Sequence, residues 1–157
     1  MTTDEATRLL EQYRAGIDAE LNLLRQLAEV ARSQHGATAA ADFQAFTRVA
    51  DRRDTIMRSL VTLEERLREV RVAMTTHRDV AAQVDGYAEV TQRHREASDL
   101  VNMILATDQQ SIAALADAEL ARRSAMASLE RGENTLAAYR RVLSPPVSSA
   151  RLVDKTG

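Results

Sequence analysis

The chain has 157 residues, enough for one domain with a sizeable core. Hydrophobic residues make up 45% but aromatic ones only 3%, and the two prolines and five glycines leave few helix breakers, so an all-α protein is expected rather than a sheet sandwich. A net charge of −2, from 21 basic and 23 acidic residues, argues against a nucleic-acid stripe or an anionic-membrane anchor, and without cysteine there are no disulfides or thiolate sites.

No apolar run approaches the ~20 residues needed to span a bilayer. The acidic start, Asp4 and Glu5, lacks the basic-then-apolar layout of a signal peptide. A soluble cytoplasmic protein is the expectation, with no membrane insertion.

The first helix is expected over 4–35. A hydroxyl or carboxylate near Thr3 or Asp4 caps it, and Asp4 and Glu5 favour the positive end of its dipole. Its apolar side reads Ala6, Leu10, Tyr13, Ile17, Leu21, Leu24, Ala28 and Ala31, and Gly36 is the expected terminator. Gly16 sits inside at a cost of roughly 1 kcal/mol relative to alanine. His35, beside Gly36, reads as a cation on the C-terminal end of the dipole.

The second helix, over 39–77, starts between Thr38 and Asp42. It carries the clearest pattern in the chain: Phe46, Val49, Ile56, Leu60, Leu63, Leu67, Val70 and Met74 step by three and four, with Arg53 filling the gap in register. Arg53 either sets the register or lays its stem along the groove with its head in water. Two turn signals follow. Thr76 with Asp79 resembles a capping box, and Asp85-Gly86 marks a later break. The first is preferred, with a short irregular link between the two as the alternative.

The third helix is expected over 80–142. Its apolar spacing is looser, and Asp108, Ser111, Arg122 and Glu133 fall at or near the face that should be apolar. A helix this long must outrun its partners, kink or meet another protein. Ser144-Pro145-Pro146 cannot continue it, so 144–157 reads as a flexible tail after a 1–143 bundle. The fold expected is an elongated antiparallel three-helix bundle, or coiled coil, with a long third helix.

Chemistry is sparse. His35, His77 and His94 form neither a Glu-x-x-His pair nor a His-Glu-x-x-His zinc helix, and no glycine-rich phosphate loop or nucleophile elbow is present. No enzyme, metal or cofactor is expected. Met57, Met74, Met103 and Met126 read as gap-filling core, with Met126 the exception to watch.

The last third carries a layout of its own. Ile104-Leu105-Ala106-Thr107-Asp108 precedes a polar helix with spaced leucines, then Leu129-Glu130-Arg131-Gly132, Leu136-Ala137-Ala138-Tyr139, a proline pair, and Ala150-Arg151-Leu152-Val153-Asp154-Lys155-Thr156-Gly157. This resembles the FlgN-type flagellar export chaperones, in motif over 104–157 and in helical layout over the whole chain. The resemblance implies a cytoplasmic type III secretion chaperone. It would hold C-terminal helical segments of hook–filament junction proteins and hand them to the export gate. Leu129, Leu136, Tyr139 and Val142 share one side of the third helix and, with Met126, are the candidate partner-binding residues; the alternative is that this side packs on the start of the second helix or on the tail through Leu152 and Val153. The alternatives are a FliT-type filament-cap chaperone, similar in layout, and a structural homodimeric coiled coil that buries this face in a self-contact.

Overall fold

The computed structural model describes residues 1–143, all but a few of them helical. The elements are α1 (Thr3–Ala39), α2 (Phe43–Thr76), α3 (Arg78–Ala81) and α4 (Tyr87–Leu143). The expected tail, with Pro145, Pro146, Leu152 and Val153, lies outside the described residues. The chain divides into two compact units, Met1–Ala114 and Leu115–Gly157. The division falls inside α4, where the sequence reading treated 1–143 as one bundle.

The start of α1 is set one residue earlier than expected. Thr2 is the N-cap: its Oγ1 accepts from the Glu5 amide at 3.2 Å, and Glu5 Oε2 accepts from the Thr2 amide at 2.7 Å. The two bonds form a capping box that satisfies two of the free amides of the first turn. The end of α1 corrects the reading of Gly36. The helix runs through His35 and Gly36 to Ala39, so neither residue caps it. The reversal is made by Ala41, with φ 56°, a left-handed conformation that costs a β-carbon-bearing residue about 1 kcal/mol. Asp42 then caps α2 by accepting from the Ala45 amide at 3.0 Å.

Both turn signals after α2 are used. Thr76 ends α2, α3 is a single turn, and Gly86 at φ 93° supplies the left-handed residue before α4. The expected capping box is absent, because His77 precedes α3 without a side-chain cap bond. The expected third helix at 80–142 is therefore α3, a link, and an α4 that starts at Tyr87.

In the first unit α2 runs antiparallel to α1, since Arg53 reaches Gln34 while Arg71 reaches Glu20. α4 runs parallel to α1: Arg14 meets Glu89, and His35 meets Ser111. The result is an all-α, up-down-up helical bundle. One core cluster gathers Ile17, Leu21, Leu24, Val30 and Ala31 of α1 with Ile56 of α2 and Ala97 and Ile104 of α4. A second joins Ala6, Leu10 and Tyr13 to Val84 and Val90, with Val70 and Met74 packed against it. Met74 is thus the one methionine of the expected four that fills core. Met57, Met103 and Met126 are exposed.

Gly16 has a packing reason. A β-carbon built there would overlap the Leu67 side chain of α2, whose Cγ would lie 2.9 Å away. Leu67 itself is buried. In an open helix Gly→Ala would stabilise by about 1 kcal/mol. Here Gly16→Ala is expected to destabilise by about 1–3 kcal/mol in urea unfolding, as overpacking does. Adding Leu67→Ala should recover part of the loss, so the double mutant is less unstable than the two single costs predict.

Candidate functional site

The α4 helix carries a row of every seventh residue. Val90, Ala97, Ile104 and Ser111 are all buried in the first unit. A second row, His94, Val101 and Asp108, lies beside it on the α2 side, where Asp108 takes two bonds from Arg53 at 2.5 and 2.8 Å. The alternation of four and three between the rows is the register of a helix-pairing seam.

The same register continues through the second unit. The first row becomes Ala118, Ala125, Gly132 and Tyr139, and the second becomes Leu115, Arg122, Leu129 and Leu136. His94 and Val101 of the second row are already exposed, and beyond Ala118 the first row opens as well. Leu129 is 73% exposed, Leu136 69%, Tyr139 61%, Val142 77% and Met126 47%. The structure therefore places three of the five candidate residues on the seam, with Met126 and Val142 on its two flanks. From Leu120 to Val142, Ala137 alone is even half-covered among the described residues. Large apolar side chains therefore lie open along one side of this stretch. Sequence reading found the leucines and missed the continuous seam, because Asp108, Ser111, Arg122 and Gly132 interrupt its hydrophobicity.

The polar residues on this stretch pair along the helix. Glu119 accepts from Arg122 at 2.8 and 2.9 Å and from Arg123 at 3.0 Å. These bonds, led by Arg122, hold its carboxyl well below the usual carboxylate range. Arg122 also reaches the Met126 sulfur at 3.0 Å.

The first unit holds a second feature that the sequence did not reveal. Glu20 of α1 is buried and accepts twice from Arg71 of α2, at 2.7 and 2.8 Å. Arg71 also donates to Glu64 at 3.1 Å and to the Tyr13 hydroxyl at 3.2 Å, and its guanidinium lies 5.5 Å from the Tyr13 ring centre. The Tyr13 hydroxyl is 3.1 Å from His94 Nδ1 of α4. This cluster floors an open groove of about 490 Å³ between α2 and α4, with Leu60, Val61 and Val101 on its walls. Two carboxylates share one guanidinium. Burial raises the Glu20 carboxyl to about 7, helped by its hydrogen bond with Glu64 and opposed by Arg71. The same hydrogen bond lowers Glu64.

No three His, Asp or Glu side chains gather to hold a metal ion among the described residues, and no described helix is long and apolar enough to cross a membrane. Compared with protein-family models, curated proteins and solved structures, the chain finds no match.

The Glu20 cluster makes a signed prediction. Between about 4.5 and about 7 the folded chain keeps a proton that the unfolded chain has already released. That contribution to stability is complete below the unfolded value and is lost as pH rises through the folded one. The thermal midpoint should therefore fall across this window. In Glu20→Gln the fall should flatten, and an unchanged slope in that variant would assign the effect to another group.

Proposed function

We propose that this chain is a flagellar type III secretion chaperone. It holds C-terminal helical segments of hook–filament junction proteins, with α4 residues 126–142 as the docking face. The observation that carries the reading is the exposed, in-register seam of Leu129, Leu136 and Tyr139, flanked by Met126 and Val142. An amphipathic client helix laid along it would contribute the apolar face that the seam lacks. The client would be ordered only on binding, which keeps the complex reversible for hand-over to the export gate. The similarity of 104–157 to FlgN-type chaperones names the client class, and the all-helical bundle suits it. A FliT-type chaperone for the filament cap is the alternative within the same class.

The test is direct binding of the purified chain to C-terminal peptides of hook–filament junction proteins and of the filament cap, read by fluorescence anisotropy. Leu129→Glu with Leu136→Glu should weaken binding by more than about tenfold, since each leucine contributes about 1–2 kcal/mol when buried. Binding only of the cap peptide would select the FliT-type reading. Binding of neither peptide would overturn the chaperone reading. Binding that survives the double substitution would move the docking face to another part of the chain.

A further inference from the structure

We infer that two copies of this chain pair antiparallel through residues 115–139 of α4. This goes beyond the client-holding reading and stands without it. The row that α4 buries at 90–111, Val90, Ala97, Ile104 and Ser111, runs on in register to Tyr139, and the row beside it, already exposed at His94 and Val101, runs on through Leu115 and Arg122 to Leu129 and Leu136; Leu129, Leu136 and Tyr139 are exposed. A seam already built for helix pairing asks for a helix as its occupant.

The choice of a second copy comes from the side chains. One row is large: Leu115, Arg122, Leu129 and Leu136. The other is small over three of its four positions: Ala118, Ala125 and Gly132, then Tyr139. A parallel pair stacks each row on itself. Arg122 would meet Arg122, Gly132 would meet Gly132, and the alanine layers would leave voids in the seam. An antiparallel pair sets each row against the other. With the two-fold axis near residue 127, Leu115 faces Tyr139, Ala118 faces Leu136, Arg122 faces Gly132 and Ala125 faces Leu129. Each of the three inner layers then has one large and one small member. Gly132 gives the Arg122 stem room, and Glu133 of the second copy, the next residue along, brings a second carboxylate beside the one Glu119 already presents to Arg122. The sequence is complementary to itself in one orientation only.

Arg122 and Gly132 also weaken the seam relative to an all-leucine one. The pair is therefore reversible, and a client helix with a full apolar stripe displaces the second copy. Self-pairing keeps the idle seam out of water and off unrelated helices.

The lack of cysteine makes the test clean. Sedimentation equilibrium of the full chain alone, with no client present, should show a monomer–dimer equilibrium that shifts on dilution. Leu129→Glu with Leu136→Glu should weaken it at least about tenfold at unchanged helical content. Chains carrying Ala118→Cys, mixed with chains carrying Leu136→Cys and oxidised, should give the mixed disulfide in excess of either self-linked product. Glu133→Arg should weaken the dimer, and Arg122→Glu added to it should restore it. A dimer with Ala118→Cys linked to itself would overturn the antiparallel orientation. A dimer untouched by the glutamates would place self-association elsewhere. A monomer at every concentration would overturn the inference, and dimerisation appearing only when 144–157 are deleted would do so by naming the tail as the occupant. Because no client is present, a failure here leaves the peptide-binding test to judge the chaperone reading by itself.

Discussion

The bundle depends on α1 being covered from two sides at once. Its buried positions run from Ala6 to Thr38 at spacings of three and four, broad enough to include Gly16, Leu27 and Val30. That is wider than one partner can cover. A helix with a single apolar stripe would satisfy itself with one neighbour. α1 needs α2 along one edge and α4 along the other, and the chain provides them in opposite directions through the tight Ala41 reversal and the α3 link. Because α1 is shared, α2 and α4 meet each other less closely. The gap between them becomes the groove over Glu20 and Arg71.

Polar residues then fix how the three helices register. Arg53 bonds Gln34 of α1 and Asp108 of α4, and so ties all three helices at one level. Its stem occupies a seam position and its guanidinium meets a carboxylate, which favours the register-setting role and corrects the alternative of a head left in water. Arg71 ties α2 to α1 toward the other end, through Glu20 and Tyr13, and the Tyr13 hydroxyl in turn meets His94 of α4. Such pairs add little net stability once desolvation is counted. They do penalise sliding, because a slip of one turn would strand a half-buried charge. Helices rich in Ala and Leu offer many near-equivalent packings, so this penalty selects one of them.

The same pairs explain what could be read in the sequence. The α2 seam was legible because Ile56, Leu60, Leu67 and Val70 are apolar at strict spacing, and the structure turns all four inward. The α4 seam was not, because Asp108 and Ser111 stand in its rows and their partners, Arg53 and His35, lie far away in sequence. A polar residue at a core position can only be recognised as satisfied once its partner is known. The end of α1 was misread for a related reason. Glycine is a common terminator, but it is not an obligatory one. Here Gly36 stays helical and an alanine takes the left-handed position, held by the Asp42 amide donating to the Ala37 carbonyl at 2.8 Å.

The two stretches of α4 show how one register serves two ends. At 90–111 the seam rows carry Ala97, Ile104 and a paired Asp108, a mixture that needs fixed neighbours with matching polar groups. At 115–139 the rows carry leucines opposite alanines and glycine, and the charges pair along the helix itself, Glu119 with Arg122 and Arg123. Those three charges are engaged on the helix itself. The stretch sets leucines at a regular spacing beside small residues that leave its backbone closely approachable. The first stretch is specified for its own bundle by polar groups that reject alternatives. In the second the Glu119 pairs with Arg122 and Arg123 close on the helix itself, so they do not lock its leucine rows to a helix of the first unit.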